Sequence, residues 1–296
     1  MSESAFRGIP RSYVNGALLP SAHAAVSISD QGLLYGLGFF ETFRSSGGRP
    51  HLWSFHRDRL TKSCEKVGIS LPRTFLALDQ PRLITVMAEM CNDVGATEAV
   101  FRYTVTAGVN GRAAEFLTMR PVPDPTPTEG IKLRVMKTRR DSGEWIPRPK
   151  SVNYVNAMLG LRELASRQAG PSDDGLFLSH DSNFVVETPR QSVIWISGGR
   201  FHIADEALGG VASTCVSWLQ HQGTSLSPTR ATLLDFARSQ AIFCVNAVRG
   251  ITPVHEIWNA GDTEKIATLN SAGHPRVLDL QVAWKEALAH TAGSET

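Results

Sequence analysis

Along the chain the apolar positions switch between a period of two and a period near four, so strands and helices are both predicted. SYVNGALLP (12–20) reads as a hairpin turning at Asn15-Gly16. FFETFRS (39–45) is rich in strand formers. HLWSFHRDRLTKSCEKVGI (51–69) carries Leu52, Phe55, Leu60, Cys64 and Val67 at helical spacing. PRLITVMAEMCNDVG (81–95) predicts a second helix ending near Gly95, and AVFRYTVTAG (99–108) a strand.

The pattern breaks at RPVPDPTPTEG (120–130), where four prolines at alternating positions favour an extended linker. This predicts an N-terminal domain over 1–120, a linker over 121–129 and a C-terminal domain over 130–296. IKLRVMKT opens the second half as a strand. SVNYVNAMLGLRELASRQAG follows as a helix, with Val152, Val155, Leu159 and Ala165 near one face and Gly170 as its stop. GLFLS, NFVVE, SVIWIS and RFHIA predict short strands. LGGVASTCVSWLQHQG reads as a glycine turn opening a helix, and SPTRATLLDFARSQ as a helix capped by Ser227 with Pro228 in its first turn. AIFCVNAV and ITPVHEI are strands flanking Arg249-Gly250, and VAWKEALAH is a helical tail. Strands and helices do not alternate strictly, which implies two α+β domains around a shared cleft.

Composition narrows the function classes. The 296 residues are 42% hydrophobic and 20% charged, a globular balance, and the net charge of +2 gives no drive toward nucleic acid or anionic membranes. The opening MSESAFRGIPRS has no apolar core of a secretory signal, and no apolar run approaches the ~18 residues of a membrane helix. Cys64, Cys91, Cys215 and Cys244 are scattered without a CxxC pair, so neither a zinc site nor a disulfide framework is expected, and a reducing cytoplasmic setting is.

Candidate chemistry centres on RPKSVNYVNAM (148–158). Lys150 precedes the predicted helix, whose N-terminus carries partial positive charge. It is either a solvated surface lysine or an amine whose charged form is disfavoured, and a neutral amine is a nucleophile toward aldehydes. Glu187 ends the apolar run NFVVE, either capping a turn or aiming a carboxylate into a cleft. In HRDRL, Arg57, Asp58 and Arg59 point to different helix faces, so at most one arginine looks inward. Arg59 is either in a surface ion pair with Asp58 or Glu65, or a phosphate clamp. LGGVAST (208–214) could present backbone N–H groups to an anion. GLG at 36–38 lacks the third glycine of a nucleotide fingerprint.

Taken in order, SYVNGALLP, SISDQGLLYGLGFFETFRSSGGRPHLWSFHRDRL, PKSVNYVNAMLGLREL, VVET, LGGVAS and CVNAVRGITPV resemble the fold-type IV pyridoxal-phosphate enzymes. That class IV aminotransferase family holds branched-chain and D-amino-acid aminotransferases and 4-amino-4-deoxychorismate lyase. The resemblance spans roughly residues 12–257. It implies a two-domain fold with the cofactor pyridoxal 5'-phosphate between domains, a homodimer, and a small amino substrate.

The resemblance also implies roles. Lys150 carries the Schiff base and removes the substrate Cα proton; Glu187 keeps the ring nitrogen protonated. Arg59 and the amides of Gly210, Val211 and Ala212 hold the phosphate, with Asn246 on the second loop of the cup. Tyr154 either hydrogen-bonds the cofactor's phenolic oxygen or packs. Three departures stand out. The usual Glu-Gly-Ser-Ser-Ser-Asn run is Glu187-Thr188-Pro189-Arg190-Gln191-Ser192, the usual Gly-Ile-Thr turn is Gly210-Val211-Ala212, and a hydroxyl usual at 247 is absent in Ala247. Ser213, Thr214 or Arg190 could supply replacement donors.

Ala107 stands where D-amino-acid transaminases carry an arginine. LLYGLGFFETFR, KSVNYVNAMLGLREL and VNAVRGITPV look most like the lyase, which eliminates pyruvate to give 4-aminobenzoate, a step toward folate. An amino-acid aminotransferase is the alternative, and a non-catalytic binding protein on the same fold a third. Arg102 and Arg112 are the candidates for a substrate carboxylate, either of which could instead be a surface charge.

Overall fold

A computed structural model of the protein describes residues 10–72, 81–141, 148–167 and 169–293; the first nine residues of the opening segment lie outside them. The chain divides into two compact units. The first comprises the described residues of Met1–Pro123, Lys150–Asn153 and Ala287–Thr296; the second those of Asp124–Pro149 and Tyr154–Glu286.

The first unit is built on an antiparallel 6-stranded sheet of order β2-β1-β6-β5-β3-β4. Its elements are β1 (Arg11–Val14), β2 (Ala17–Pro20), α1 (Gln31–Tyr35), β3 (Gly38–Ser46), β4 (Arg49–Pro50), α2 (Trp53–Lys66), α3 (Pro81–Asn92), β5 (Glu98–Val109) and β6 (Arg112–Arg120). The β1–β2 turn sits where Asn-Gly predicts it, with both residues at positive φ (47° and 92°). A second Asn-Gly, at Asn110-Gly111, turns β5 into β6, a strand the period-two reading of 99–108 stops short of. Alternation along β3 and β5 buries Phe43, Phe101, Tyr103 and Val105. The buried face of α2 holds Leu60 and Cys64 of the apolar stripe together with His56 and Ser63, while Leu52, Phe55 and Val67 are only partly buried. His56 faces inward there because the facing strand carries the buried carboxylate of Glu41, and Ser63 donates its hydroxyl to the Arg59 carbonyl one turn back.

The sequence boundary assigns Lys150 to the C-terminal part. Its backbone bonds attach it instead to β3: Phe40 N–H donates to the Lys150 carbonyl at 2.9 Å, and Val152 N–H to the Gly38 carbonyl at 2.9 Å. Glycine is required at 38, since a Cβ there would lie 2.7 Å from the Val105 carbonyl oxygen on β5.

The second unit holds β7 (Ile131–Val135), α4 (Val155–Ser166), β8 (Asp173–Leu178), β9 (Val185–Glu187), β10 (Ser192–Ser197), β11 (Arg200–Ala204), α5 (Thr214–His221), β12 (Leu226–Thr229), α6 (Leu233–Ala237), β13 (Ala241–Asn246), β14 (Gly250–Trp258) and β15 (Lys265–Thr268). α7 (Pro275–Gly293) ends the described chain and packs Trp284 edge-on against Trp218, 5.2 Å between ring centres. The strands form a 9-stranded sheet of order β12-β11-β10-β13-β14-β7-β8-β9, with β15 on β14. β9 pairs with β8 and also with β10 through Glu187↔Ser192, so β9, β10, β13, β14, β7 and β8 close into a ring. Leu133, Leu176, Val185, Trp195, Ile242 and Val254 belong to its buried core.

Two predicted helices are corrected. α4 begins at Val155, five residues after Lys150, so the lysine lies in an extended segment and not at a helix end. α4 buries Ala157, Gly160 and Leu164, while Val155 and Leu159 are 64% and 50% exposed. Phe177 crowds this face at one position, where a Cβ on Gly160 would meet its ring at 2.5 Å, and Leu164 packs in the same cluster. Ser227 and Pro228 do not start a helix but lie in β12, an edge strand where proline's missing N–H disrupts no ladder. α6 starts at Thr232, whose side chain and that of Asp235 form a reciprocal capping box.

Candidate active site

In the first unit, β3 and α2 assemble a buried charge cluster. Glu41 is 1% exposed. His56 and Arg59 lie three apart on α2, the spacing that puts two side chains on one helix face, and both reach Glu41. Arg59 Nε donates to Glu41 Oε1 at 2.8 Å, Arg59 Nη2 to Oε2, and His56 Nδ1 lies 2.5 Å from Oε2. Burial alone would raise the Glu41 pKa; Arg59 and His56 outweigh it and bring the carboxyl down to about 2. Burial lowers the His56 pKa against the pull of Glu41, with Arg59 and Lys150 adding to the fall. In this contact the His56 Nδ1–H donates a hydrogen bond to the Glu41 carboxylate. Lys150 contributes to the same field, and its Nζ sits 4.8 Å from the centre of the Phe40 ring. Arg102 covers a Phe40 ring as well, its guanidinium carbon 3.5 Å from the centroid. Arg57 and Asp58 point outward, so Arg59 is the inward arginine of HRDRL, and its partner is Glu41 rather than Asp58 or Glu65.

In the second unit, Glu187 is buried at the end of β9. Arg140 Nη2 donates to its Oε1, and Val211 N–H to its Oε2 at 2.9 Å. Arg140 is itself buried and held by Asn156, whose Oδ1 accepts from Nη1 at 2.8 Å while its Nδ2 donates to the Arg139 carbonyl at 2.8 Å. Arg148 lies close enough to Arg140 and Glu187 to feel both charges, and burial followed by Arg140 lowers its pKa. The turn over 188–191 wraps onto buried Asp174, which accepts from Thr188 Oγ1 at 3.1 Å and Gln191 Nε2 at 2.9 Å.

Lys150, Arg59 and Arg102 thus belong to the first unit, with Lys150 and Arg102 sharing Phe40. Glu187, Tyr154, Gly210, Val211, Ala212 and Asn246 belong to the second. Glu187 and Val211 are joined directly, and Gly210 flanks them, its Cβ position 3.7 Å from Glu187 Oε2. The Tyr154 hydroxyl donates a hydrogen bond to the Pro189 carbonyl at 2.5 Å. Asn246 folds the β13–β14 turn, its Oδ1 accepting from Val248 N at 3.0 Å and Arg249 N at 2.7 Å. Arg112 is exposed at the β5–β6 turn, opposite Val109. Sequence reasoning passed over His56, Arg140 and Asn156. The i, i+3 spacing of His56 and Arg59 was a usable signal; nothing local to Arg140 marks it as a partner for Glu187.

A model of the family described as amino-transferase class IV matches residues 38–257, and the chain belongs to that family. A protein provisionally named branched-chain-amino-acid aminotransferase in Methanocaldococcus jannaschii is 29% identical over 287 residues, 92% of this chain and 96% of its own. The aminodeoxychorismate lyase of Bacillus subtilis is 28% identical over 200 residues, 63% of this chain and 64% of its own. The crystal structure of 4-amino-4-deoxychorismate lyase from Pseudomonas aeruginosa superposes with a TM-score of 0.75 at 23% identity, covering 93% of this chain and 98% of that one, which establishes the fold. The fold-type IV architecture expected from the motif order is therefore the one found. The protein is a pyridoxal-phosphate-dependent enzyme of the aminotransferase and lyase kind.

Each unit by itself holds one group of a kind that cofactor's ring takes: the second a buried carboxylate with acceptor capacity beyond its present partners, the first a lysine amine beside an apolar ring. The glycine turn of the second unit is different. Val211 N–H is committed to Glu187, and Ala212 N–H to the Arg148 carbonyl at 3.1 Å, so in this arrangement neither amide is left for an anion. Among the described residues no cluster of His, Cys, Asp and Glu could hold a metal, and no helix is long and apolar enough to cross a membrane.

Proposed function

We propose that Lys150 is the covalent attachment point and proton carrier of an enzyme that acts on a small amino substrate, and that its reaction is the 4-amino-4-deoxychorismate lyase reaction. Pyridoxal phosphate supplies a ring that withdraws electrons from the substrate carbon bearing the amino group. The observation that carries the reading is the fixing of Lys150 to β3, which sets its amine against Phe40 beside the Glu41–His56–Arg59 cluster. Glu187, pinned by Arg140 and Val211, presents an acceptor for the ring N–H. Arg59, aimed by Glu41, is the phosphate clamp. Tyr154, whose hydroxyl donates to the Pro189 carbonyl, meets the cofactor oxygen as a packing group or after its hydroxyl turns. Arg102, which shares Phe40 with Lys150, is a better substrate-carboxylate ligand than exposed Arg112.

The relatives named as lyases support the elimination reading, as does Ala107 in place of the arginine of D-amino-acid transaminases. Near full-length similarity to the archaeal protein favours a second reading, transamination of an amino acid. The exposed run of Ile28, Leu33, Leu34 and Tyr35 supports a homodimer, since contiguous apolar surface marks an interface. The cysteines, all buried and unpaired, support a reducing cytoplasmic setting.

Purified protein with added cofactor should show an absorbance band near ~410–430 nm that disappears in Lys150→Ala. Absence of the band from the wild type, or its persistence in Lys150→Ala, would overturn the assignment of Lys150. Aminodeoxychorismate should then yield pyruvate and 4-aminobenzoate. Accumulation of the pyridoxamine form from amino acids, without pyruvate release, would favour the aminotransferase.

A further inference from the structure

We propose that Arg190 and Arg249, on adjacent loops of the second unit, form a binding site for an oxyanion, a phosphate or a carboxylate group. The proposal rests on the reading of Glu187 as the ring-binding carboxylate, because both loops lie at the end of the strand ring where Glu187 sits. Glu187 pairs with Ser192 across the 188–191 turn; Ser192 pairs in turn with Val245, two residues before the 247–249 turn that carries Arg249. The two loops are tied together by Asn246, whose Nδ2 reaches the Arg190 carbonyl at 3.4 Å.

The charges at this place are unbalanced. Asp174 is the carboxylate nearest Arg190, at 3.3 Å, but it already accepts from Thr188, Gln191 and the Gly175 amide. The Arg190 side chain remains about half exposed. Arg249 donates to neutral oxygens, the Asp124 carbonyl at 3.2 Å and Thr126 Oγ1 at 3.3 Å, and among the described residues it has no carboxylate within ion-pair distance. Burial and then the charge of Arg190 lower the Arg249 pKa, with Asp174 and Asp124 opposing, which shows that the two guanidinium groups feel each other. An oxyanion between them relieves that repulsion and accepts charge-assisted hydrogen bonds.

The site also answers the sequence departures. Arg190 stands within the run where serines are usual in the family, and Ala247, which lacks the usual hydroxyl, lies two residues before Arg249. With the Val211 and Ala212 amides committed internally, the chain has lost neutral donors and holds two cations on neighbouring loops.

The test begins with calorimetric titration of inorganic phosphate into the full chain and into Arg190→Gln, Arg249→Gln and the double variant, with melting temperatures as the folding control. Each single substitution should weaken phosphate binding about tenfold or more, the worth of one charge-assisted hydrogen bond. Phosphate binding that is absent from the wild type, or equal in all folded variants, overturns the proposal. If Arg249→Gln does not fold, Arg190→Gln, on a half-exposed side chain, decides alone. The second arm identifies the source of the anion by comparing pyridoxal phosphate with pyridoxal. Selective weakening of the phosphorylated form assigns the site to the cofactor; unchanged cofactor affinity with a raised KM for the amino substrate assigns it to the substrate carboxylate. Failure of the enzymatic reading shows separately, as a missing Lys150-dependent absorbance band, while the phosphate titration still reads the site.

Discussion

Val211 donates its backbone N–H to Glu187 Oε2 at 2.9 Å, so the glycine turn at 209–211 serves as the holder of a buried carboxylate. The other oxygen of Glu187 takes Arg140, and the residue is fixed from two sides.

Removing one member of that buried pair strands the other. Glu187→Ala leaves the Arg140 guanidinium without its carboxylate and should cost about 3–5 kcal/mol in urea unfolding. Glu187→Gln keeps an acceptor for Val211 and should cost clearly less. Equal losses would mean that shape, and not charge pairing, fixes the site.

Acid should act on the first unit in two stages. His51 and His56 are held below their ordinary value of 6.5, by burial first and nearby cations second, with His51 at about 4. Both must charge against their surroundings, so their contribution is whole above 6.5 and is lost as pH falls. Glu41 is depressed from 4.5 to about 2, so its contribution is whole above 4.5 and is lost between there and about 2. That lower stage is on the order of 3 kcal/mol. Glu41→Gln should lower the melting temperature at pH 7 and flatten its decline below pH 4.5. A variant with the wild-type acid profile would assign the decline to other groups.

Gly250 has φ of 70°, and a Cβ there would stand 2.3 Å from the Trp284 indole nitrogen. Gly250→Ala combines left-handed strain of about 1–2 kcal/mol with overpacking of about 1–3 kcal/mol. Thermal unfolding should show the sum, and near-ultraviolet circular dichroism should report a displaced Trp284.

The start of α6 can be located by substitution. Thr232→Ala removes the reciprocal cap with Asp235 and should cost about 1 kcal/mol in chemical denaturation. Ser227→Ala, on edge strand β12, should cost less than half of that. The opposite order would place the helix start at Ser227.

Much of this fold could be read from the chain. The Asn15-Gly16 hairpin, the helix over HRDRL and the strands at NFVVE, SVIWIS and AIFCVN follow from turn chemistry and period. The errors share a cause. SPTRATLLDF offers two cap-like residues, Ser227 and Thr232, and only the pairing of β12 with β11 selects the second. The inward face of α4 carries Ala157, Gly160 and Leu164, and apolar spacing alone does not show that glycine is needed at 160 beside Phe177. Arg140 lies 47 positions from Glu187, and no local pattern encodes that bond. The motif order carried the family, whereas the internal use of the Val211 and Ala212 amides is a matter of three-dimensional bonding alone.

The strand ring has one further consequence. β9 is its shortest member, yet it completes the circle, paired with β8 on one side and β10 on the other. A terminal strand of an open sheet can fray by itself; a strand that closes a ring has no free side from which to peel. Glu187 therefore sits on the seam, where backbone deuterium uptake should be slower than on the open edge strand β12.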